Sequence, residues 1–240
     1  MHKELYNKAY QKFTPDFLSD EARVRRFLAE NAESYLRFLE QHKNQFDYMT
    51  QNSSALELGC GLGSLTSHLI AEFDSVVAVD ISDLAVSMAK TIHGDQAKFL
   101  VGDAGQIDLG EKYDFVFDSH LYHCITTSEE RIKYLTNVKK HLSDEGIFLM
   151  ECMVFQDRLQ IPVGYSFDEN GILYQEMDGE DVPIRCILKS LEIEKEFQQA
   201  GLKLNYFYYH NELSFQVFED FPSYPLHFLP KTIRLSAKSN

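Results

Sequence analysis

The chain has 240 residues, 44% of them hydrophobic and 25% charged, which is enough for one globular domain held together without disulfide staples. Its formal net charge of −14 argues against binding to nucleic acid, which depends on neutralised phosphates, and against attachment to an anionic membrane. The four cysteines lack close zinc-finger spacing, and no apolar run follows the first residues as in a signal peptide. We therefore expect reduced thiols and a cytoplasmic location.

Residues 1–50 are predicted to be helical, because apolar side chains within residues 27–39 recur at helical spacing. Pro15 interrupts this region and separates a short first helix from longer ones. These helices either pack on the main domain as a simple cap or act as a lid, with Tyr6 and Tyr10 over a site.

From residue 54 onward, short apolar runs alternate with helical stretches of about a dozen residues. This alternation is typical of βαβ units that build a parallel sheet with right-handed crossovers. The strands are predicted at residues 55–58, 76–80, 98–101, 113–118 and 147–153, and the helices at 62–73, 84–92 and 128–142.

The C-terminal third departs from this alternation. Residues 156–190 are predicted to form an insertion with a β-hairpin. A helix is predicted at residues 190–200, and two strands at 203–209 and 214–218 that pair antiparallel. The chain thus divides into a helical cap at 1–50, a main domain at 51–220 and a tail at 221–240 that is predicted to be irregular.

A glycine-rich turn follows the first predicted strand, in the stretch Glu57-Leu58-Gly59-Cys60-Gly61-Leu62-Gly63. Alternate glycines allow a tight turn without a Cβ that would block a ligand, and the helix that follows offers unpaired N–H donors. Asp80 ends the second strand, where an acid can accept hydrogen bonds from ribose hydroxyls. Asp103 follows the third strand, where an acid can accept from an adenine amino group. Together these features predict a nucleotide-like ligand at the carboxyl edge of the sheet.

Residues 54–155 resemble the class I S-adenosylmethionine-dependent methyltransferases. Residues 57–63 resemble the first motif of that family, Val77-Ala78-Val79-Asp80 the second, and Val101-Gly102-Asp103-Ala104 the third. The resemblance implies an α/β fold with a seven-stranded, mostly parallel Rossmann-like sheet, helices on both faces and an antiparallel last strand. The N-terminal helical lid and the β-hairpin insertion are expected to shape the substrate pocket.

The same resemblance implies S-adenosylmethionine as the cofactor and S-adenosylhomocysteine as the product. Nine residues are implied to bind the cofactor: Glu57, Gly59, Cys60 and Gly61 at the methionine end, Asp80 and Ile81 at the ribose and adenine, Asp103 and Ala104 at the adenine, and Asp118, or the backbone just after it, near the sulfonium.

Methyl transfer is an in-line displacement, so alignment is the enzyme's main task, and a base helps where the acceptor carries a proton. His120 and His123 follow the fourth strand and are the candidate catalytic residues. If this segment is helical, both lie on one face with Cys124. His123 has an alternative interpretation as a packed core histidine.

Four residues are candidates for the substrate pocket: Tyr6, Tyr10, Tyr122 and Arg131. The position of Arg131 loosely resembles the thiopurine- and tellurite-type branch of small-molecule methyltransferases, although a structural ion pair would explain it equally well. No metal is expected. The alternative is a metal site, for which the ligands would be His120, His123, Cys124, Glu151 and Cys152.

We predict methyl transfer to a small-molecule acceptor by a monomer or homodimer, without nucleic-acid or membrane partners. One alternative is a non-catalytic scaffold that binds the cofactor. Another is an NAD-dependent oxidoreductase, which is disfavoured because Ser64 stands where the third glycine of Gly-x-Gly-x-x-Gly belongs.

Overall fold

The computed structural model describes residues 2–13, 15–46, 53–218 and 220–239. Its N-terminal part consists of three helices, α1 (His2–Tyr10), α2 (Pro15–Ser19) and α3 (Glu21–Phe46). Pro15 begins α2, where its missing N–H is not needed. The predicted boundary between cap and main domain, at residues 50 and 51, lies outside the described residues.

The first five strands form the parallel part of the sheet. They are β1 (Ser54–Leu58), β2 (Ser75–Asp80), β3 (Lys98–Val101), β4 (Tyr113–Ser119) and β5 (Leu142–Val154). The connecting helices are α4 (Thr66–Glu72), α5 (Asp83–His93) and α6 (Ser128–His141). Neighbouring strands pair in parallel in the order β3-β2-β1-β4-β5, as the alternation of elements predicts. The carboxyl ends of these strands therefore meet at one edge.

Helices cover both faces of this sheet. On one face, Tyr35 and Phe38 of α3 pack against Phe115 and Phe117 of β4. The other face packs against α6 and against α7 (Ser190–Gln199), whose Phe197 contacts Phe148. Because both faces are buried, the strands are nearly continuous apolar runs.

The insertion forms a separate three-stranded antiparallel sheet of β6 (Tyr165–Phe167), β7 (Ile172–Met177) and β8 (Glu180–Cys186). The predicted hairpin is confirmed as β7 and β8. Its two-residue turn holds Asp178 and Gly179 at φ of 55° and 85°, the positive values that such a turn requires. The strand β6 is an addition that the sequence analysis did not anticipate.

The last two strands of the main sheet correct the sequence analysis. A single strand, β9 (Leu202–Ser214), pairs with β10 (Lys231–Ser239), and β10 lies antiparallel between β5 and β9. The seven-stranded sheet and its antiparallel last strand are confirmed. The predicted pairing of residues 203–209 with 214–218 is wrong, and so is the prediction of an irregular tail for Lys231–Ser239.

The position of β10 explains why its sequence was misleading. A strand flanked on both sides and covered on both faces has no polar face, so Arg234 and Ser236 are as buried as Ile233 and Leu235. These polar residues conceal the apolar run, and the nearby prolines lie in the connection, ending with Pro230 just before the strand. No helix among the described residues is long and apolar enough to cross a bilayer.

Candidate active site

A cavity of about 610 Å³ opens at the carboxyl edge of the parallel strands. Its wall follows the ends of β3, β2, β1 and β4, three strand spacings of about 4.8 Å each. The side chains of α1 and the segment after β4 complete the wall. Its volume lies within the usual range for small-molecule sites, and its place is where open α/β sheets bind ligands.

Gly59, the first residue of the glycine turn, forms the floor of the cavity beside β1. Gly59, Gly61 and Gly63 have φ values of 79°, 54° and 82°, in the region that favours glycine. A Cβ on Gly59 would lie 2.9 Å from the Leu121 Cβ, and one on Gly61 would lie 2.6 Å from the Tyr10 hydroxyl oxygen. The motif glycines are therefore required both by backbone conformation and by the close approach of their neighbours.

Asp80 joins the glycine turn to the end of β2. Its carboxylate oxygens accept hydrogen bonds from the backbone N–H groups of Gly61 and Ser82, each at 2.8 Å. Burial raises the pKa of Asp80, and these hydrogen bonds partly offset the increase. Because Asp80 also lines the cavity, it can accept hydrogen bonds from a sugar hydroxyl, as the resemblance implies.

The end of β3 supplies the next part of the wall. Asp103 and Ala104 line the cavity together with Ile81. Asp103 accepts hydrogen bonds from the backbone N–H of Gly105 at 2.8 Å and from the Gln106 side chain at 2.6 Å. An apolar side chain, a buried alanine and an oriented acid suit the faces and edge of a planar base.

Three of the predicted cofactor residues lie behind the wall. The described residues that line the cavity include Gly59 but not Glu57, Cys60 or Gly61. Burial raises the pKa of Glu57 to about 8, and the hydroxyl of Thr66 in α4 donates to its carboxylate. These residues hold the turn in shape, and their direct contact with a cofactor stays a prediction.

Asp118 is also set back from the cavity, and its contact with a cofactor stays a prediction. Its carboxylate is fully buried and accepts hydrogen bonds from the N–H groups of Leu121 and Tyr122 and from the Tyr134 hydroxyl. Burial raises its pKa to about 6, although these hydrogen bonds lower it. The side chain therefore shapes the loop, while Ser119, directly after it, lines the cavity.

His120 lies in the cavity wall with a left-handed backbone, at φ of 78°. Such a conformation is strained for a residue with a side chain and is typical of functional sites. The segment is not an α-helix, since only Tyr122–Cys124 forms a short 3₁₀ turn. The expectation of a common helical face for His120, His123 and Cys124 is therefore wrong.

A buried carboxylate holds the His120 ring. The His120 Nε2 lies 3.0 Å from Oε1 of Glu151, and the ring packs edge-on against Phe215. Burial alone would raise the pKa of Glu151, but His120 and Arg234 together lower it below its usual value. An ionised Glu151 accepts a hydrogen bond from the Nε2–H group, and the lone pair of the neutral His120 ring is then on Nδ1.

Sequence reasoning missed Arg234, the partner of this carboxylate. The Arg234 Nε donates to Oε2 of Glu151 at 2.6 Å, and its side chain is 1% exposed. The one available signal was an arginine between Ile233 and Leu235 in a tail rich in proline.

His123 does not line the cavity. Its ring is buried, its Nδ1 accepts a hydrogen bond from the backbone N–H of Met153 at 3.2 Å, and it packs against Phe215. Burial lowers the pKa of His123 well below its usual value, so it stays neutral. This position agrees with the alternative of a core histidine, and a catalytic role for His123 stays a prediction.

Tyr122 and Arg131, the other two candidates for the substrate pocket from this region, are not among the described residues that line the cavity. Both side chains are buried outside the cavity and bind the same carboxylate, that of Glu196 in α7. Arg131 also donates to the backbone carbonyls of Ile125 and Thr126. This network ties α6 and α7 to the loop after β4.

Tyr6 and Tyr10 of α1 do line the cavity. The Tyr6 hydroxyl is buried near Cys124 and finds no hydrogen-bond partner of ordinary geometry among the described residues. Burial raises the pKa of both tyrosines, so both are neutral hydrogen-bond donors. A buried hydroxyl without a partner in a cavity wall fits a site that takes a polar ligand.

Several of the side chains named for the metal alternative have other partners. Within the described ranges, no group of three or more His, Cys, Asp and Glu side chains is arranged to hold a metal ion. Glu151 is engaged by His120 and Arg234, and Cys152 is buried, so the five proposed ligands do not converge.

Comparison with known proteins agrees with this geometry. A family model described as a methyltransferase domain matches residues 55–146. The juvenile hormone acid O-methyltransferase of Bombyx mori is 31% identical over 123 residues, which are 48% of this chain and 43% of that protein. The N-terminal Xaa-Pro-Lys N-methyltransferase 1-B of Xenopus laevis is 28% identical over 127 residues, 50% of this chain and 56% of that protein. The chain thus spans about half the length of these curated relatives.

A solved structure extends the likeness beyond the matched domain. An S-adenosylmethionine-dependent methyltransferase from Clostridium acetobutylicum ATCC 824 superposes with a TM-score of 0.64 at 17% identity, covering 85% of this chain and 90% of that one. At that identity the match concerns the fold. The domain match, the strand order and the glycine turn beside Asp80 thus identify residues 55–146 as a methyltransferase domain, in a chain with the fold of the S-adenosylmethionine-dependent methyltransferases.

Proposed function

We propose that the chain transfers the methyl group of S-adenosylmethionine to a small-molecule acceptor, with His120 as the general base. The observation that carries the proposal is one cavity whose wall includes Asp80 and Asp103 on one side and His120 on the other. Tyr6 and Tyr10 of α1 narrow the cavity as part of its wall, which favours a small acceptor over a folded protein surface.

S-adenosylmethionine supplies an electrophilic methyl group on a positively charged sulfur. The lone pair of the acceptor would form the new bond to the methyl carbon as the carbon–sulfur bond breaks. The electron pair of the broken bond would stay on sulfur, which gives S-adenosylhomocysteine. The proton of the acceptor passes to Nδ1 of His120, whose Nε2 is held by Glu151. The Tyr6 hydroxyl, without a protein partner of ordinary geometry among the described residues, is the proposed donor to the acceptor.

The relatives differ in their acceptors. The Bombyx mori protein is named for a small acid and the Xenopus laevis protein for a protein N-terminus, so a peptide acceptor is the second candidate. The cavity volume of about 610 Å³ and the net charge of −14 favour a small molecule over nucleic acid. A non-catalytic scaffold is the other alternative. An NAD-dependent oxidoreductase is disfavoured, because the dinucleotide-binding sheet of such enzymes is parallel, whereas β10 of this chain is antiparallel.

The first experiment measures cofactor binding. Calorimetry on the full chain is expected to detect S-adenosylhomocysteine binding, and Asp80→Asn is expected to weaken it roughly tenfold to hundredfold because a charged acceptor is lost. Asp95→Asn, the same change at an exposed position outside the cavity, serves as the control. If neither the methyl donor nor its product binds, the proposed function fails.

The second experiment measures transfer. The full chain is incubated with labelled methyl donor and a panel of carboxylic acids, phenols, amines and peptides with free N-termini. We expect turnover on a small acceptor and a loss of roughly 10²–10⁴-fold in His120→Ala with cofactor binding retained. Transfer to peptides alone would overturn the small-molecule acceptor, and binding without any transfer would favour the scaffold.

A further inference from the structure

We propose that Ser34, Glu151 and Arg234 act together as positioning residues that hold His120 in its proton-accepting tautomer. We call these three side chains the Glu151 clamp. The inference rests on the proposed function of His120 as the base and extends it to three elements that do not touch the cavity: α3, β5 and β10.

The clamp assigns a separate task to each oxygen of Glu151. Oε2 accepts hydrogen bonds from Arg234 Nε at 2.6 Å and from Ser34 Oγ at 3.1 Å. Oε1 lies 3.0 Å from His120 Nε2. Arg234 also donates to the backbone carbonyl of Ser34 at 2.7 Å, which closes the clamp against α3. The carboxylate therefore has one oxygen anchored and the other directed at the imidazole.

A second buried pair in the same molecule shows that this arrangement is not simply how the fold buries a charge. Glu196 is paired with Arg131, and both of its oxygens are occupied, Oε1 by Arg131 and Ser128 and Oε2 by Arg131 and Tyr122. These partners are a tyrosine, a serine and an arginine, so neither oxygen of Glu196 is directed at a histidine. In the clamp, by contrast, Arg234 spares one carboxylate oxygen, and that oxygen faces the residue in the cavity wall.

Energetics favour a functional reason for the clamp. The Glu151 and Arg234 side chains are 0% and 1% exposed, and a buried ion pair is often no more stabilising than apolar residues of the same volume. What an ion pair does provide is a fixed negative charge. Beside Arg234, Glu151 remains ionised and accepts a hydrogen bond from the Nε2–H group of His120, so Nδ1 keeps its lone pair.

Backbone and packing restrict the same ring. The left-handed φ of 78° at His120 turns it toward Glu151, and Phe215 packs edge-on against it with ring centroids 4.6 Å apart. The titratable and charged groups around His120 and the clamp come from several elements: Asp118, His123 and Cys124 from its own loop, Tyr6 from α1, Arg185 from β8, His210 from β9, Glu151 from β5 and Arg234 from β10. Of these, Glu151 is the one whose side chain is hydrogen-bonded to the imidazole.

The test begins with Glu151→Gln in the full chain, which keeps the size of the side chain and removes its charge. We expect turnover at neutral pH to fall roughly tenfold to hundredfold, the acidic limb of the pH–rate profile to move to lower pH, and the dissociation constant of S-adenosylhomocysteine to stay unchanged. Glu196→Gln is the matched control, since it neutralises another buried carboxylate that is paired with an arginine and should leave the position of the acidic limb unchanged.

A double-mutant cycle separates positioning from general stability. If Glu151 acts through His120, Glu151→Gln causes no further loss of turnover in a His120→Ala background. Losses that multiply would overturn the proposal, and so would a pH profile of Glu151→Gln that matches that of the parent.

A readout without any acceptor keeps this inference distinct from the proposed function. Nitrogen-15 NMR of the imidazoles should show His120 as the Nε2–H tautomer in the parent and a mixture of tautomers in Glu151→Gln. Should Arg234→Met fail to fold, Arg234→Lys and Ser34→Ala provide milder changes, each expected to shift the tautomer ratio less than Glu151→Gln. An unchanged tautomer ratio in all folded variants would overturn the proposed role of the clamp even if methyl transfer is confirmed. A shifted ratio without any transfer would support the clamp and overturn the proposed methyltransferase activity.

Discussion

At the scale of single residues, the site depends on backbone conformations that few side chains tolerate. Gly59, Gly61 and Gly63 turn the chain away from β1 at positive φ, and His120 adopts a similar φ after β4. The glycines allow the neighbouring side chains to come within van der Waals contact of the backbone. At His120 the backbone is strained, and this conformation fixes the direction of the imidazole ring. The cavity is thus shaped by the main chain before any side chain binds a ligand.

Gly59→Ala tests this dependence on the main chain. The new methyl group would meet the Leu121 Cβ at 2.9 Å and push the loop after β4 into the cavity. We expect a destabilisation of about 1–2 kcal/mol from the positive φ and a roughly tenfold weaker affinity for S-adenosylhomocysteine. Thermal unfolding and calorimetry give the two values.

Gly110→Ala is the matched control for that substitution. Gly110 also has a positive φ, of 67°, but a Cβ there meets nothing within 4 Å. Its variant should be strained yet bind S-adenosylhomocysteine normally. Equal affinities in the two variants would contradict a role for the floor of the cavity.

At the scale of elements, α1 is fixed over the cavity by a few polar contacts at the start of α5. Asn7 donates to Asp83 at 2.8 Å and accepts from the Ser82 hydroxyl at 2.6 Å, and Ser82 itself caps α5 through the N–H of Ala85. Since Tyr6 and Tyr10 lie on α1, these contacts set one wall of the site.

Asn7→Ala should release α1 without disturbing the sheet. We expect faster amide hydrogen exchange in α1, a melting temperature within a few degrees of the parent, and affinity for S-adenosylhomocysteine reduced roughly threefold to tenfold. Lys8→Ala, at an exposed position on the same helix, should change none of these. Unaltered exchange across α1 in the Asn7 variant would mean that other contacts hold the helix.

At the scale of the whole molecule, the fold is a sheet covered on both faces. The last strand in the chain, β10, is not at the edge of this sheet but lies next to the edge strand β9. β10 separates β5 from β9, so the end of the described chain belongs to the core. Through Arg234, the same strand also reaches Glu151 and the candidate base. Stability and the proposed positioning of His120 therefore share one element.

Ile233→Ala measures how much of the core depends on β10. Ile233 is 0% exposed and pairs with Cys152 on one side and Tyr209 on the other. Its truncation should cost about 2–5 kcal/mol, because the cavity left between two strands cannot collapse fully. Val163→Ala, at a side chain that is 91% exposed, should cost less than about 0.5 kcal/mol. Denaturant unfolding of both variants checks this, and equal midpoints would place β10 outside the cooperative core.

The sequence by itself determined the parts of this protein that local signals specify. The alternation of apolar runs and helices defined β1 to β5 and their helices. The glycine turn with Asp80 and Asp103 located the edge of the cavity and the methyltransferase domain, because strand ends and positive-φ turns depend on consecutive residues. The sequence also placed His120, Tyr6 and Tyr10 at the cavity. His120 directly follows the end of a strand, and the two tyrosines belong to the helical segment before the sheet.

Only the tertiary structure decided which polar residues face the cavity. His123, Tyr122, Arg131 and Asp118 turned inward to buried partners, and their chain positions gave no indication of it. Arg234 is the partner of Glu151, although the two residues are 83 positions apart in the chain. Such pairings depend on which strands become neighbours, and that is set by the packing of the whole sheet rather than by any local pattern.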